Sequence, residues 1–222
     1  KAVGYLKRAI ESRPDLAPYR VNLGVILQDL GKFDQAKECY KYSIKIDETF
    51  GDSYYNLAKL YKQIEQPDAA LKTYERLLSL NPERQDALVN MGNIHFDTGS
   101  LEKAIKCFQT ASSIKSEDKQ LTDQAIINLA NTYRRQGEDL KAIEAYEQIL
   151  DTQLFSGLLI KQAITLPIVY RDQFHIKDVR QRFENELAVI LDKNLVVVDP
   201  ALEIAATNFF LAYQAKSNRA LQ

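Results

Sequence analysis

A short motif returns along this chain at a nearly constant distance. Asn22-Leu23-Gly24 recurs as Asn56-Leu57-Ala58, Asn90-Met91-Gly92 and Asn128-Leu129-Ala130, at steps of 34, 34 and 38 residues. A second series keeps the same steps: Ala36, Ala70, Ala104 and Ala142, each followed four residues later by Tyr40, Tyr74, Phe108 or Tyr146. Two marks in one phase mean that each unit is a single supersecondary element that buries its apolar face on its neighbours. Such a chain grows as a stacked array instead of closing around one central core.

Within a unit, the apolar spacing predicts two amphipathic helices, for example Pro18 to Leu30 and Asp34 to Ile46, separated by a turn at Gly31. Gly99 and Gly137 fall at the same turn, where a residue without a Cβ takes up a left-handed helix end at little cost. The small residues of the Ala series let two helices approach closely, and the aromatic one turn later fills the space between them. Repeat geometry thus accounts for five of the eight glycines, Gly24, Gly31, Gly92, Gly99 and Gly137. Little glycine remains for a phosphate-cradling loop.

Composition narrows the function classes further. With 29 Lys+Arg against 30 Asp+Glu the net charge is −1, so phosphate-tracking nucleic-acid binding is not expected. No apolar run approaches the roughly 18 to 20 residues that cross a bilayer, so no membrane partner is expected either. Two Cys, two His and no Trp leave no raw material for a disulfide framework or a zinc site, and no cofactor or metal is expected. Cysteine use fits a reducing, cytoplasmic setting. Lys1 is not an initiator Met, and the chain reads as a segment of something longer.

The combined pattern resembles the tetratricopeptide repeat, in which Leu-Gly-x-x-Tyr marks a first helix and Ala-x-x-x-Phe followed by Pro marks a second. Pro82 stands where that pattern closes a repeat. The opening Trp slot instead holds Arg20, Tyr54, Leu88 and Ile126, and Glu48 and Ser116 replace the closing Pro. The resemblance implies an all-α fold, a right-handed superhelix (α-solenoid) with a C-terminal helical cap. Four units are expected at residues 17–50, 51–84, 85–122 and 123–151. Residues 1–16, with Ala2, Leu6, Ala9 and Pro14 in phase, read as the second helix of an earlier, truncated unit. Its open apolar edge suggests self-association. Lys115 to Asp123 carries four extra residues and is expected to form a charged linker that bends or offsets the array.

In this family the first helices line a concave wall, so the resemblance implies that residues there contact a protein or peptide ligand. Asn22, Asn56, Asn90 and Asn128 recur once per unit, and Asn93 and Asn131 lie one turn beyond the last two, on the same face. An amide side chain both donates and accepts, so a row of them can hold the backbone of an extended polypeptide without reading its side chains. The competing reading is local capping or packing, because Asn often bonds nearby backbone. A carboxylate clamp of the kind used by chaperone adaptors is not expected. The slots four residues before Val25, Lys59, Asn93 and Asn131 hold Val21, Tyr55, Val89 and Ile127, none of them basic.

The reactive side chains read as structural. Cys39 and Cys107 occupy one repeat position two units apart, beyond the ~7 Å Cα separation that a disulfide allows, and are expected as packed thiols. His95 shares its slot with Leu27, Tyr61 and Tyr133 and is expected to pack, while His175 is placed just ahead of a helix. Carboxylates such as Glu138-Asp139 fall at turns and helix starts. No catalytic residue is assigned.

After Leu150 the pattern stops. Helices are expected from Leu154 to Leu166, through Ile176, Val179, Phe183, Leu187 and Ile190, and from Ala201 to Ala215. The stretches Ala163-Ile164-Thr165-Leu166-Pro167, Val179-Arg180-Gln181-Arg182-Phe183 and Thr207-Asn208-Phe209-Phe210-Leu211-Ala212-Tyr213 resemble the segment joining repeats to the catalytic half in bacterial SPINDLY and O-linked N-acetylglucosamine transferase-like proteins. That resemblance implies a helical cap or linker at residues 152–222 and a repeat region that recruits the protein substrates of a glycosyltransferase. The alternative is a stand-alone scaffold that assembles a protein complex with no enzyme attached.

Overall fold

A computed structural model describes residues 2–115, 119–149 and 172–192. Every regular element among these residues is a helix. In chain order they are α1 (Ala2–Ser12), α2 (Ala17–Asp29), α3 (Phe33–Ile46), α4 (Gly51–Gln63), α5 (Pro67–Leu80), α6 (Gln85–Asp97), α7 (Leu101–Ser113), α8 (Lys119–Gln136), α9 (Asp139–Glu147) and α10 (Gln173–Asp192). The chain divides into two compact units, Lys1–Lys115 and Ser116–Gln222.

In the first unit, helices pair as the repeat phase requires: α2 packs on α3, α4 on α5 and α6 on α7, while α3 meets α4 and α5 meets α6. The second helices bury one narrow stripe each: Ala36, Tyr40 and Ser43 in α3, Ala70, Tyr74 and Leu77 in α5, and Ala104, Phe108 and Ala111 in α7. That spacing of four then three keeps one side of a helix against its neighbours. The first helices bury more of their circumference, with Ser53, Tyr54, Leu57, Ala58 and Leu60 all enclosed in α4. They pack both on second helices and on each other, since α2 also touches α4. In the second unit α8 packs on α9 in the same way, around Ile126, Ala130, Ala142 and Tyr146.

The alanine and aromatic series meet as expected. Ala36, Ala70, Ala104 and Ala142 are fully buried, as are Tyr40, Tyr74 and Tyr146. A Cβ added at Gly24 would stand 2.5 Å from Tyr40 Cε1, and one at Gly92 would collide with the Phe108 ring. In these two repeats the ring occupies the space a methyl group would take, which is why the slot is glycine.

All four first helices end in the same motif. The amide of the second residue past the cap bonds the carbonyl five residues back: Lys32 to Leu27, Gln66 to Tyr61, Ser100 to His95 and Glu138 to Tyr133, at 2.8–2.9 Å. The residue before each takes a left-handed conformation, with φ of 71°, 78° and 82° at Gly31, Gly99 and Gly137. In the second repeat that residue is Glu65, at φ 58°. The tertiary pairing of α4 with α5 thus holds a side-chain-bearing residue where the other repeats use glycine.

Two expectations need correction. The linker foreseen from Lys115 to Asp123 is helical from Lys119, so α8 runs 18 residues where α2, α4 and α6 run 13. Four inserted residues without Gly or Pro add about one helical turn at 3.6 residues per turn. His175 does not precede a helix but lies within α10, where its backbone amide bonds Asp172 Oδ1 at 2.7 Å. The aspartate caps the helix earlier than the apolar pattern indicated. Within α10, Val179 and Phe183 are buried. The helices expected at 154–166 and 201–215, with the motifs they carry, lie outside the described residues.

Cys39 and Cys107 are free thiols, half-buried against the apolar clusters of the first unit. Burial raises the pKa of both. His95 is half-buried, and desolvation lowers its pKa. Among the described residues no group of three or more His, Cys, Asp or Glu could hold a metal ion. No helix among them is long and apolar enough to cross a membrane.

Candidate functional site

The first helices α2, α4 and α6 are bridged side to side by polar bonds. Gln28 Nε2 on α2 donates to Gln63 Oε1 on α4 at 2.6 Å, and Gln28 Oε1 accepts from the Tyr40 hydroxyl at 2.9 Å. Asn90 Nδ2 on α6 donates to the Tyr55 hydroxyl on α4 at 3.2 Å. Farther along, Lys62 Nζ lies 3.7 Å from Asp97 Oδ2. These bonds make the three first helices one continuous polar wall.

Arg84, in the connection before α6, anchors one edge of it. Its guanidinium donates to Asp52 Oδ1 at 2.9 Å and to both oxygens of Asp86, at 2.8 and 3.2 Å. The guanidinium carbon also stands 5.0 Å from the centre of the Tyr55 ring. The two aspartates hold the arginine firmly protonated, with Asp86 the larger influence. Burial raises the pKa of Tyr55, so its hydroxyl remains a neutral hydrogen-bonding group. Lys59 Nζ also stands over the Tyr55 ring, 5.6 Å from its centre. Tyr55 itself meets the buried Tyr74 ring edge-on, with centroids 6.2 Å apart.

The asparagines differ in how much bonding capacity they retain. Asn22 is exposed on α2. Asn56 is half-buried, and its Nδ2 donates to the carbonyl of Asp52 at 2.8 Å. Asn90 likewise donates to the Asp86 carbonyl at 2.9 Å, so both of its amide hydrogens are used, one locally and one on Tyr55. Local back-bonding from mid-helix Asn is therefore real at two positions. It leaves the side-chain oxygens of Asn56 and Asn90 as acceptors without a hydrogen-bond donor among the described residues. Asn93 is half-buried one turn beyond Asn90.

In the second unit, Asn128 Oδ1 accepts from Gln124 Nε2 at 2.8 Å. Asn131 Oδ1 accepts from the Tyr146 hydroxyl at 2.8 Å, the service that Gln28 performs for Tyr40. Sequence reading grouped Asn131 with the ladder and did not foresee this bond to the repeat aromatic. It also missed the Tyr55–Arg84 cluster. The one available signal was that Asp52 and Asp86 share a repeat position, with Arg84 two residues before the second of them.

This stacking of helix pairs, with a small residue against an aromatic and a left-handed turn between helices, defines a helical-repeat protein. A family model for the tetratricopeptide repeat matches residues 15–83 and 83–153, and the chain belongs to that family. Among curated proteins it is 32% identical over 97 residues to the human protein O-mannosyl-transferase TMTC3, covering 43% of this chain and 11% of that protein. It is 32% identical over 135 residues to tetratricopeptide repeat protein 8 of Caenorhabditis elegans, covering 61% of this chain and 24% of that one. It is 34% identical over 79 residues to the photosystem I assembly protein Ycf3 of Prochlorococcus marinus, covering 34% and 46%. The chain thus spans less than half the length of each of these relatives. Among solved structures, YrrB, described as a TPR protein with an unusual peptide-binding site, superposes with a TM-score of 0.64 at 16% identity, covering 85% of this chain and 92% of that one. A MamA protein superposes with a TM-score of 0.64 at 22% identity, covering 82% and 98%. At these identities the structural likeness concerns the fold.

Proposed function

We propose that this chain is a protein-interaction module that holds an extended polypeptide along the wall of α2, α4 and α6. The observation that carries the reading is the state of the ladder. Asn56 and Asn90 are fixed in place by their own back-bonds, with their side-chain oxygens still able to accept peptide N–H groups. Fixed acceptors bind at lower entropic cost than mobile ones. Asn22 extends the row on α2, and Asn93, Asn128 and Asn131 are further candidates.

Converting Asn22, Asn56 and Asn90 together to Ala tests this. Binding of an extended-peptide library, followed by calorimetric titration, is expected to weaken roughly tenfold or more, because each net hydrogen bond contributes about 0.5–1.5 kcal/mol. Unchanged binding by a folded triple variant would remove the ladder from the interaction.

For the protein as a whole, we propose a substrate-recruiting role for a protein O-glycosyltransferase. The support is the resemblance of the tail motifs to SPINDLY and O-linked N-acetylglucosamine transferase-like proteins, together with similarity to O-mannosyl-transferases from human and Drosophila melanogaster. Those two matches cover only 11% and 10% of the relatives. A second reading, a scaffold that assembles a complex, draws on the similarity to photosystem I assembly proteins. Sequencing the gene past the codon for Gln222 separates them: a sugar-nucleotide transferase domain supports the first, and a stop codon or an unrelated domain supports the second.

A further inference from the structure

We infer that the wall selects polypeptides carrying an acidic side chain about three residues from an apolar one, through Lys59 and Val25. This rests on the peptide-holding reading above and adds side-chain selection to it. In the first unit three residues share one repeat position, three places beyond a ladder asparagine: Val25 on α2, Lys59 on α4 and Asn93 on α6. They differ in chemistry as the asparagines do not. Val25 is among the large apolar side chains the first unit leaves exposed. Lys59 is exposed as well.

The charges around Lys59 decide what it can accept. On the same wall, Arg84 is held by Asp52 and Asp86, and Lys62 is paired with Asp97. Lys59 forms no ion pair among the described residues and instead stands over the Tyr55 ring. It is therefore a cation with no ion-pair partner among the described residues, on a wall where Asp52, Asp86 and Asp97 are held by other cations. A carboxylate on the ligand meets attraction at Lys59 without displacing a partner, whereas a basic side chain there meets repulsion.

Spacing follows from geometry. Packed helices lie 8–10 Å apart and an extended chain advances about 3.3 Å per residue, so adjacent repeats are about three ligand residues apart. Val25 and Lys59 sit on α2 and α4, which pack directly.

The test uses the 222-residue chain and fluorescein-labelled peptide pools in which one Leu is fixed and a Glu, or a Lys in its place, is moved from one to five residues away on either side. Fluorescence anisotropy is expected to show about a threefold preference for Glu over Lys at a separation near three, the size that a single exposed ion pair supplies. Lys59→Ala is expected to erase the preference and Lys59→Glu to reverse it, with the circular dichroism of both variants unchanged. Pools that bind without a Glu preference, or a preference that survives Lys59→Glu, would overturn the inference and leave the peptide-holding reading standing. Failure of every pool to bind would remove both.

Discussion

The Tyr55 hydroxyl accepts a hydrogen bond from Asn90 Nδ2 at 3.2 Å and thereby joins the first helices of two successive repeats, across 35 residues of sequence. Stability in a repeat array is the sum of what each unit supplies and what each interface adds. This bond belongs to the interface part. Tyr55→Phe keeps the ring under Arg84 and Lys59 but removes the acceptor, and is expected to cost about 0.5–1.5 kcal/mol. Urea unfolding of Tyr55→Phe, Asn90→Ala and the double variant should give a coupling of about 0.5 kcal/mol or more. Strict additivity would show the bond to be absent in solution.

Ala70 is fully buried in the stripe it shares with Tyr74 and Leu77. Its position is defined by close helix approach, so Ala70→Leu inserts volume where no space exists. Overpacking of this kind costs about 1–3 kcal/mol. The thermal midpoint is expected to fall by several degrees, and a midpoint equal to the parent's would contradict the packing phase.

Tyr74 presents the opposite case. Its ring is fully buried, yet its hydroxyl has no hydrogen-bond partner among the described residues, whereas those of Tyr40 and Tyr146 reach Gln28 and Asn131. The third repeat holds Phe108 in the same slot. A buried hydroxyl without a partner costs about 1–3 kcal/mol in lost hydration. Tyr74→Phe is therefore expected to leave the unfolding midpoint unchanged or to raise it, while Tyr40→Phe, which strands Gln28, lowers it.

Glu65 occupies the left-handed turn that Gly31, Gly99 and Gly137 fill elsewhere. A residue with a Cβ is strained there by about 1–2 kcal/mol, partly offset because glycine gains freedom in the unfolded chain. Glu65→Gly is expected to stabilise by about 0.5 kcal/mol. Gly99→Ala is expected to destabilise by about 1 kcal/mol, and equilibrium denaturation of the pair checks both signs.

The repeat phase was fully legible, because it is written twice, in the asparagine motif and in the alanine–aromatic pairs. Each mark reflects a local requirement that one residue type meets: a small side chain where helices cross, a ring to fill the gap, a glycine where φ is positive. Where a requirement is met by pairing over distance, the signal fails. Asp86 lies two residues from Arg84, but nothing near them announces that Arg84 will also reach Asp52, 32 residues earlier on α4. Nothing in the repeat marks says that Asn131 will serve Tyr146 while Asn90 serves Tyr55.

The chain's own order of residues thus dictated an all-helical tetratricopeptide array, since periodic burial and turn chemistry act within a few residues of one another. Among the described residues, folding in three dimensions decided which asparagine oxygens stay open, which cations are neutralised and that Lys59 is left without an ion pair. Several of those outcomes depend on side chains 15 to 35 residues apart meeting across packed helices, as Asn131 with Tyr146 and Asn90 with Tyr55, and the repeat marks do not specify such pairings.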